Sequence, residues 1–219
     1  MMQIVFMPKN SAGAFWMSRY TVHGDEGEFQ PGSHGLVLRN RVGIVSLDEM
    51  NELEFELLAQ LYESILLTDF PNRVLSIEDI KSWHLRWLGN VYDWAGQERS
   101  VNMYKGGFAF AAAGQIPTLL AQFQRDCLER WTPCVSSSSE HLVEAIAVTH
   151  VELILIHPIR EGNGRLSRLL ADVMAVQAGL EPLDYSYWEA NKDGYISAIH
   201  QGIAMNYEPM KKCVRLAMR

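Results

Sequence analysis

From Ser46 onward the apolar positions fall into helical spacing. Leu53, Leu57, Leu61 and Ile65 recur every fourth residue behind Ser46 and Glu49, a pair with the spacing of a capping box, so a first helix is expected there. Ser76 with Asp79 repeats the start signal, and Ile80, Trp83, Trp87 and Val91 predict a second helix ending near Asp93 to Gly96. Between Arg99 and Phe110 the period drops toward two around Lys105-Gly106-Gly107, which predicts one β-hairpin. Pro117 suits a first helical turn, and Ile116, Leu120, Phe123 and Cys127 line a third helix. Val135 to Ser139 reads as a loop. Residues 140–156 are apolar nearly all round, the mark of a central helix buried on several sides and stopped by Pro158. A further helix is expected from about Arg165 to Ala178, closed by Gly179, and the Tyr195, Ile199, Ile203 series and Pro209 predict two more.

Residues 1–35 lack such a period: Gly13, Gly24, Gly27, Pro31 and Gly32 are scattered among polar positions, so an irregular N-terminal arm is expected. Residues 36–219 then form one unit without internal repeats. About seven helices and one hairpin predict an all-α fold.

Composition narrows the function classes. With 48% hydrophobic and 21% charged residues the 219-residue chain is globular, not disordered. Nineteen Lys+Arg against 26 Asp+Glu give a net charge of -7, which repels a polyphosphate and argues against a nucleic-acid partner. Any anion site must be local. Cys127, Cys134 and Cys213 fit neither a disulfide framework nor a CxxC metal site, which points to a reducing cytoplasm. The start, MMQIVFMPKN, lacks the basic stretch and long apolar run of a secretory signal. Leu142 to Ile156 carries Glu144, His150 and Glu152 and is too short to span a bilayer, so no membrane partner is expected. His141 and His150 match no metal-ligand spacing, and these two and His200 are expected to be structural.

The informative stretch is His157-Pro158-Ile159-Arg160-Glu161-Gly162-Asn163-Gly164-Arg165-Leu166-Ser167-Arg168, where the local charge reverses the global one. Gly162-Asn163-Gly164 lets successive backbone N–H groups converge on an anion at the start of the following helix. Arg165 and Arg168, three apart, share a face on which they could hold neighbouring phosphates, so a di- or triphosphate fits better than a monophosphate. Glu161 beside them is an oxygen ligand for Mg²⁺, which usually binds through one or two carboxylates and substrate phosphates. Pro158 disfavours helical geometry at His157, fixing an imidazole near the turn where it could take a hydroxyl proton. A lone His before Pro would more often be a capped or solvated residue. The whole string describes phosphoryl or nucleotidyl transfer.

At these residues the chain resembles the Fic family, whose motif reads H-x-F-x-(D/E)-G-N-G-R-x-x-R. Seven of the eight defined positions agree, Ile159 replacing the family's Phe. Residues 36–44, 91–96 and 101–108 also look like Fic segments, extending the resemblance over roughly residues 36–215 and leaving the arm outside it. The resemblance implies a Fic-type helical catalytic domain over 36–219 that transfers AMP from ATP to a Tyr, Thr or Ser hydroxyl of a target protein. It implies His157 as general base, Glu161 as Mg²⁺ ligand, Asn163 as an α-phosphate contact, Arg165 and Arg168 as clamps for the β- and γ-phosphates, and Gly162 and Gly164 as the anion nest. Gly164 stands where related Doc-type kinases carry Lys, which favours nucleotidyl over phosphoryl transfer. The hairpin, Met103, Tyr104, Lys105, Gly106 and Gly107, resembles the family's flap, which registers a target segment by strand-like pairing. Two rivals stand beside this reading: another transfer or removal in the same fold, such as UMP transfer or deAMPylation, and a non-catalytic nucleotide-binding module. The intact His157 and Glu161 weigh against the module.

Fic proteins are often restrained by a helix carrying (S/T)-x-x-x-E-(G/N). Here Ser136 to Glu140 has the spacing but is followed by His141 and lies inside the domain, and Thr21 with Glu26-Gly27 has one residue too many. The resemblance therefore implies restraint by a separate antitoxin-like protein, with Glu26, Glu49 and Glu52 as acidic residues that could act from within the chain.

Overall fold

Ser46 caps α1 (Leu47–Glu63) by accepting the Glu49 N–H at 3.4 Å. The reciprocal box forms instead ahead of α2 (Ile77–Leu88), where the Ser76 hydroxyl accepts the Asp79 N–H at 3.2 Å and Asp79 accepts the Ser76 N–H at 2.8 Å. Arg73 grips the same carboxylate, fixing where the second helix starts. The computed structural model describes residues 21–22, 28–135 and 138–218.

The helical path of α1 runs on through a π-turn over Ser64–Thr68. α3 (Ile116–Phe123), with Pro117 in its first turn, likewise continues through a π-turn over Gln124–Leu128 into the short α4 (Glu129–Trp131). Ser138 caps α5 (Ser139–Ile156), and α6 (Asn163–Gln177), α7 (Ser186–Ala190), α8 (Lys192–Gln201) and α9 (Glu208–Ala217) complete the described helices. The sequence anticipates all of these but α4 and α7, which are too short to show a period. It also runs the second helix about two turns too far, since α2 ends at Leu88 before Gly89.

α5 is central. It packs against α3, α6, α8 and α9, and Ile146, Ala147 and Val151 on it are fully buried, as its uniformly apolar sequence requires. A fully buried Leu or Ile contributes roughly 1.5–3 kcal/mol, and α6 adds Leu169, Leu170, Val173 and Met174 to the same core. α6 is wedged between α2 and α5, so its first turn is held from two sides. A buried carboxylate crosses this packing: Asp172 of α6 accepts the hydroxyls of Tyr62 at 2.9 Å and Tyr185 at 2.8 Å and the Leu183 N–H at 2.9 Å.

The expected hairpin is present. β1 (Thr21–Val22), β2 (Met103–Lys105) and β3 (Phe108–Ala109) form an antiparallel sheet in that order. Gly106 and Gly107 close β2 onto β3 with φ of 56° and 80°, the two positive values a two-residue turn of type I′ demands. β1 comes from the segment expected to be irregular. Among the described residues no helix is long and apolar enough to cross a membrane, no group of three His, Cys, Asp or Glu could hold a metal by itself, and the three cysteines are buried and free.

Candidate active site

Pro158 bars His157 from helical geometry, and His157 ends α5 in the left-handed region at φ 51° and ψ 58°. Its Nδ1–H donates to the Ile154 carbonyl at 3.1 Å, which places the ring's lone pair on Nε2. Phe110 stacks on the imidazole at 3.8 Å between centroids. Burial pushes the His157 pKa down to about 3, and the cations of Arg99, Lys105 and Arg160 act in the same direction against the Ile154 hydrogen bond. The ring is therefore neutral near pH 7, with an acceptor nitrogen.

The turn that follows is braced from below by α2. Gly162 sits at φ 83°, and a Cβ there would lie 2.7 Å from Trp87 Cζ3 and 3.3 Å from His84 Nε2. Both constraints demand glycine. His84 is locked between two backbone groups, its Nδ1 accepting the Gly96 N–H at 3.0 Å and its Nε2–H donating to the Glu161 carbonyl at 3.1 Å. Burial lowers its pKa to about 4, so the brace is neutral and keeps this tautomer. Asn163 lies buried, its amide donating to the Ile159 carbonyl at 2.6 Å and accepting the Ile159 N–H at 3.0 Å. Ile159 is itself buried and seats the turn in the core. Gly164, in the first turn of α6, faces open space.

Arg165 and Arg168 lie in the first two turns of α6 but reach different neighbours. Arg165 Nη1 donates to Glu54 Oε2 at 2.7 Å, and its guanidinium covers the Trp87 ring at 4.5 Å. Glu54 is buried and also accepts the Tyr92 hydroxyl at 2.7 Å. Arg168 meets Glu189 of α7 at 3.3 Å and lies 4.9 Å from the Tyr185 ring centroid. Glu161, between them and His157 in sequence, accepts the Gly162 N–H through Oε1 at 3.0 Å and stands 3.8 Å from Arg165. Of the acidic residues singled out near the N-terminal end, Glu49 and Glu52 are exposed on α1 and Glu26 lies outside the described residues. The carboxylate of α1 that reaches the turn is Glu54.

The hairpin is rooted in the same place. Arg99 is buried and donates to the carbonyls of His157 at 2.7 Å, Val101 at 2.6 Å, Ala111 at 2.6 Å and Ile156 at 3.2 Å. One guanidinium thus ties both roots of the hairpin to the exit of α5. Met103 is buried, Tyr104 is exposed, and Phe108 stacks on His200 at 4.2 Å. Burial lowers the pKa of Lys105, with Lys192 and Arg165 adding to the effect and Glu161 opposing it, so the hairpin's lysine belongs to the electrostatics of the turn. The structure therefore gathers Glu161, Gly162, Asn163, Gly164, Arg165 and Arg168 at one helix start, with His157 and the hairpin beside it. His84, Trp87, Glu54, Glu189 and Arg99 complete the surroundings, and none carries a local signature.

A protein with a helical body, a glycine turn opening a buried helix and a hairpin over the preceding histidine has the architecture of a Fic domain. The Fic/DOC family model matches residues 74–175, and the chain belongs to that family through this segment. The protein adenylyltransferase Fic of Drosophila ananassae is 35% identical over 150 residues, 67% of this chain and 29% of the relative; that of Drosophila yakuba is 34% identical over 159 residues, 71% and 31%. The chain thus spans about three tenths of the length of these relatives. The N-terminal Fic domain of a Bartonella effector protein from Bartonella sp. AR 15-3 shares the fold at a TM-score of 0.74 and 21% identity, covering 90% of this chain and 94% of that one. BepC of Bartonella tribocorum, solved with bound AMPPNP, follows at a TM-score of 0.70 and 21% identity, covering 83% and 92%.

Proposed function

We propose that this chain is a protein adenylyltransferase that moves AMP from ATP to a Tyr, Thr or Ser hydroxyl of a target protein. What supports this most is His157: a neutral imidazole with its lone pair on Nε2, fixed beside a glycine turn that opens a helix bearing two arginines. The target oxygen attacks the α-phosphorus and its proton passes to Nε2. The bond to the bridging oxygen breaks and pyrophosphate leaves with the electron pair. The N–H groups at the start of α6 and the guanidinium groups of Arg165 and Arg168 receive the phosphates, Arg168 taking the terminal one. Because the Asn163 side chain is committed to Ile159, its α-phosphate contact falls to the main-chain N–H. Gly164 leaves room beside the phosphates, in keeping with transfer of the nucleotidyl group.

The residues present fit Mg²⁺ held jointly with substrate. Glu161 engages Gly162 through one oxygen, leaving the other for a hard cation whose remaining ligands come from phosphates and water. Held there by Glu161, such an ion would supply positive charge beside the departing pyrophosphate. Met103 to Gly107 form the flap for the target segment. A reducing cytoplasmic setting and a small antitoxin-like inhibitor belong to the same reading, in which the ATP seat is restrained from outside the chain.

His157→Ala is expected to lower transfer of label from ATP by roughly 10²–10⁴-fold while calorimetry finds ATP binding retained. Equal loss of binding and transfer would refute the assigned role. Labelled ATP, GTP, UTP and CTP offered with a cell lysate decide the nucleotide, and label on no protein from any of them would leave the binding module as the reading.

A further inference from the structure

A hairpin has two edges, and in this protein one of them is already filled. On the inner side the Phe110 N–H donates to the Met103 carbonyl at 3.1 Å, and β3 leads directly into Ala111, whose N–H donates to the Leu155 carbonyl at 3.3 Å. Strand alternation then turns the N–H and C=O of Tyr104 outward. That outward edge is where β1 lies, with Thr21 opposite Tyr104 and Val22 opposite Met103. Only five residues separate Val22 from Glu28, and the chain from there on is held to the body, since Gln30 and Arg39 donate N–H bonds to Val37 and Glu28 at 2.8 and 3.0 Å. β1 is therefore a tethered strand at high effective concentration. Among the described residues it pairs with the edge at only two positions, too few to hold the edge permanently.

We propose that β1 is a built-in competitor: it occupies the outer edge of the flap through main-chain hydrogen bonds, and an extended segment of a protein target must displace it to dock. The inference rests on the flap being the target's docking strand, and it names control of target entry rather than of the ATP seat. When the edge is open only a fraction of the time, the apparent affinity for any docking strand falls by that fraction.

The register supplies a paired test in the full chain. The N–H of Thr21 points toward Tyr104, whereas that of Val22 points away. Thr21→Pro removes the bond to the edge, while Val22→Pro removes a donor that faces outward and leaves the pairing in place. Amide hydrogen exchange at Tyr104 is expected to be about tenfold faster in Thr21→Pro than in the parent or in Val22→Pro. In the same three proteins, transfer from labelled ATP to lysate proteins at limiting lysate is expected to rise about threefold or more in Thr21→Pro only, with ATP affinity unchanged. Equal Tyr104 exchange in all three overturns the strand, and loss of protection with no gain in transfer overturns the competition. Absence of label transfer by every variant, with Tyr104 exchange still differing, would instead refute the transferase reading.

Discussion

The turn at Glu161 to Arg165 and the hairpin tip at Lys105 to Phe108 are both glycine-bearing bends beside the same histidine, yet they are built in opposite ways. The turn is wedged against Trp87 and His84, stitched by Asn163 and flanked by an arginine paired with buried Glu54. At the tip the two glycines are unwedged: a Cβ on Gly106 or Gly107 would find no atom within 4 Å, although the flanking Phe108 stacks on His200. The part assigned to phosphate is thus preorganised, and the part assigned to the target is adaptable. A fixed, charged ligand rewards the first arrangement, and a range of extended segments rewards the second.

Substitutions that treat the two bends alike sharpen this contrast. Gly162→Ala combines a positive φ with a 2.7 Å approach to Trp87, and is expected to destabilise the fold by about 2–4 kcal/mol and to lower ATP affinity more than tenfold, read by thermal melts and calorimetry.

Acid should also attack the turn first. His84 and His157, with His150 behind them, have folded pKa values of about 4, 3 and 3, all below the ordinary 6.5. Between pH 6.5 and 4 the unfolded chain binds more protons at each, so stability is lost as pH falls, by about 1.4 kcal/mol per pH unit per group. Asp172, lifted to about 7 by burial, works the other way over much of that range and cancels one of the three. The net expectation is a loss of roughly 3 kcal/mol per pH unit, measured by denaturant titration, and unchanged stability from pH 7 to 5 would contradict the buried neutral assignments.

Arg168→Ala is expected to weaken ATP by about tenfold and ADP by less than about threefold, since its guanidinium is assigned to the terminal phosphate; equal losses by calorimetry would move that assignment elsewhere. The smallest effect belongs to the other bend. Gly107→Ala has the same sign of φ but no neighbour, so it should cost only about 1 kcal/mol and leave ATP affinity intact. If it matched Gly162→Ala, the two bends would not differ as described.

Much of this was legible in the sequence because the signals are local. Ser76 and Asp79 lie three residues apart, residues 140–156 are apolar nearly all round, and the glycines, arginines and histidine around the turn sit in twelve consecutive positions. The supports were not legible because their partners are remote. Arg165 and Glu54 are 111 residues apart, and Arg99 and His157 are 58 apart. Glu54 looks like any other acidic position on α1, and Trp87 reads as core packing, although its ring lies against both Gly162 and Arg165. Ser46 and Glu49 show the limit of even a local signal: the spacing suits a box, yet only the serine half forms. β1 is two residues long, below the length at which alternation can be seen.

Arg99 has a mechanical consequence. By gripping the carbonyls of residues 101 and 111 together with those of 156 and 157, it makes the hairpin a lever whose fulcrum is the histidine's own backbone. From Val101 to the tip the arm is about five residues, or roughly 16 Å at the usual rise of a strand. A tilt of about 10° therefore sweeps the tip through ~3 Å while the imidazole at the pivot stays almost still. If the proposed function holds, acceptors of different bulk would swing the far end of the hairpin aside and still present their oxygen to an imidazole that has not moved.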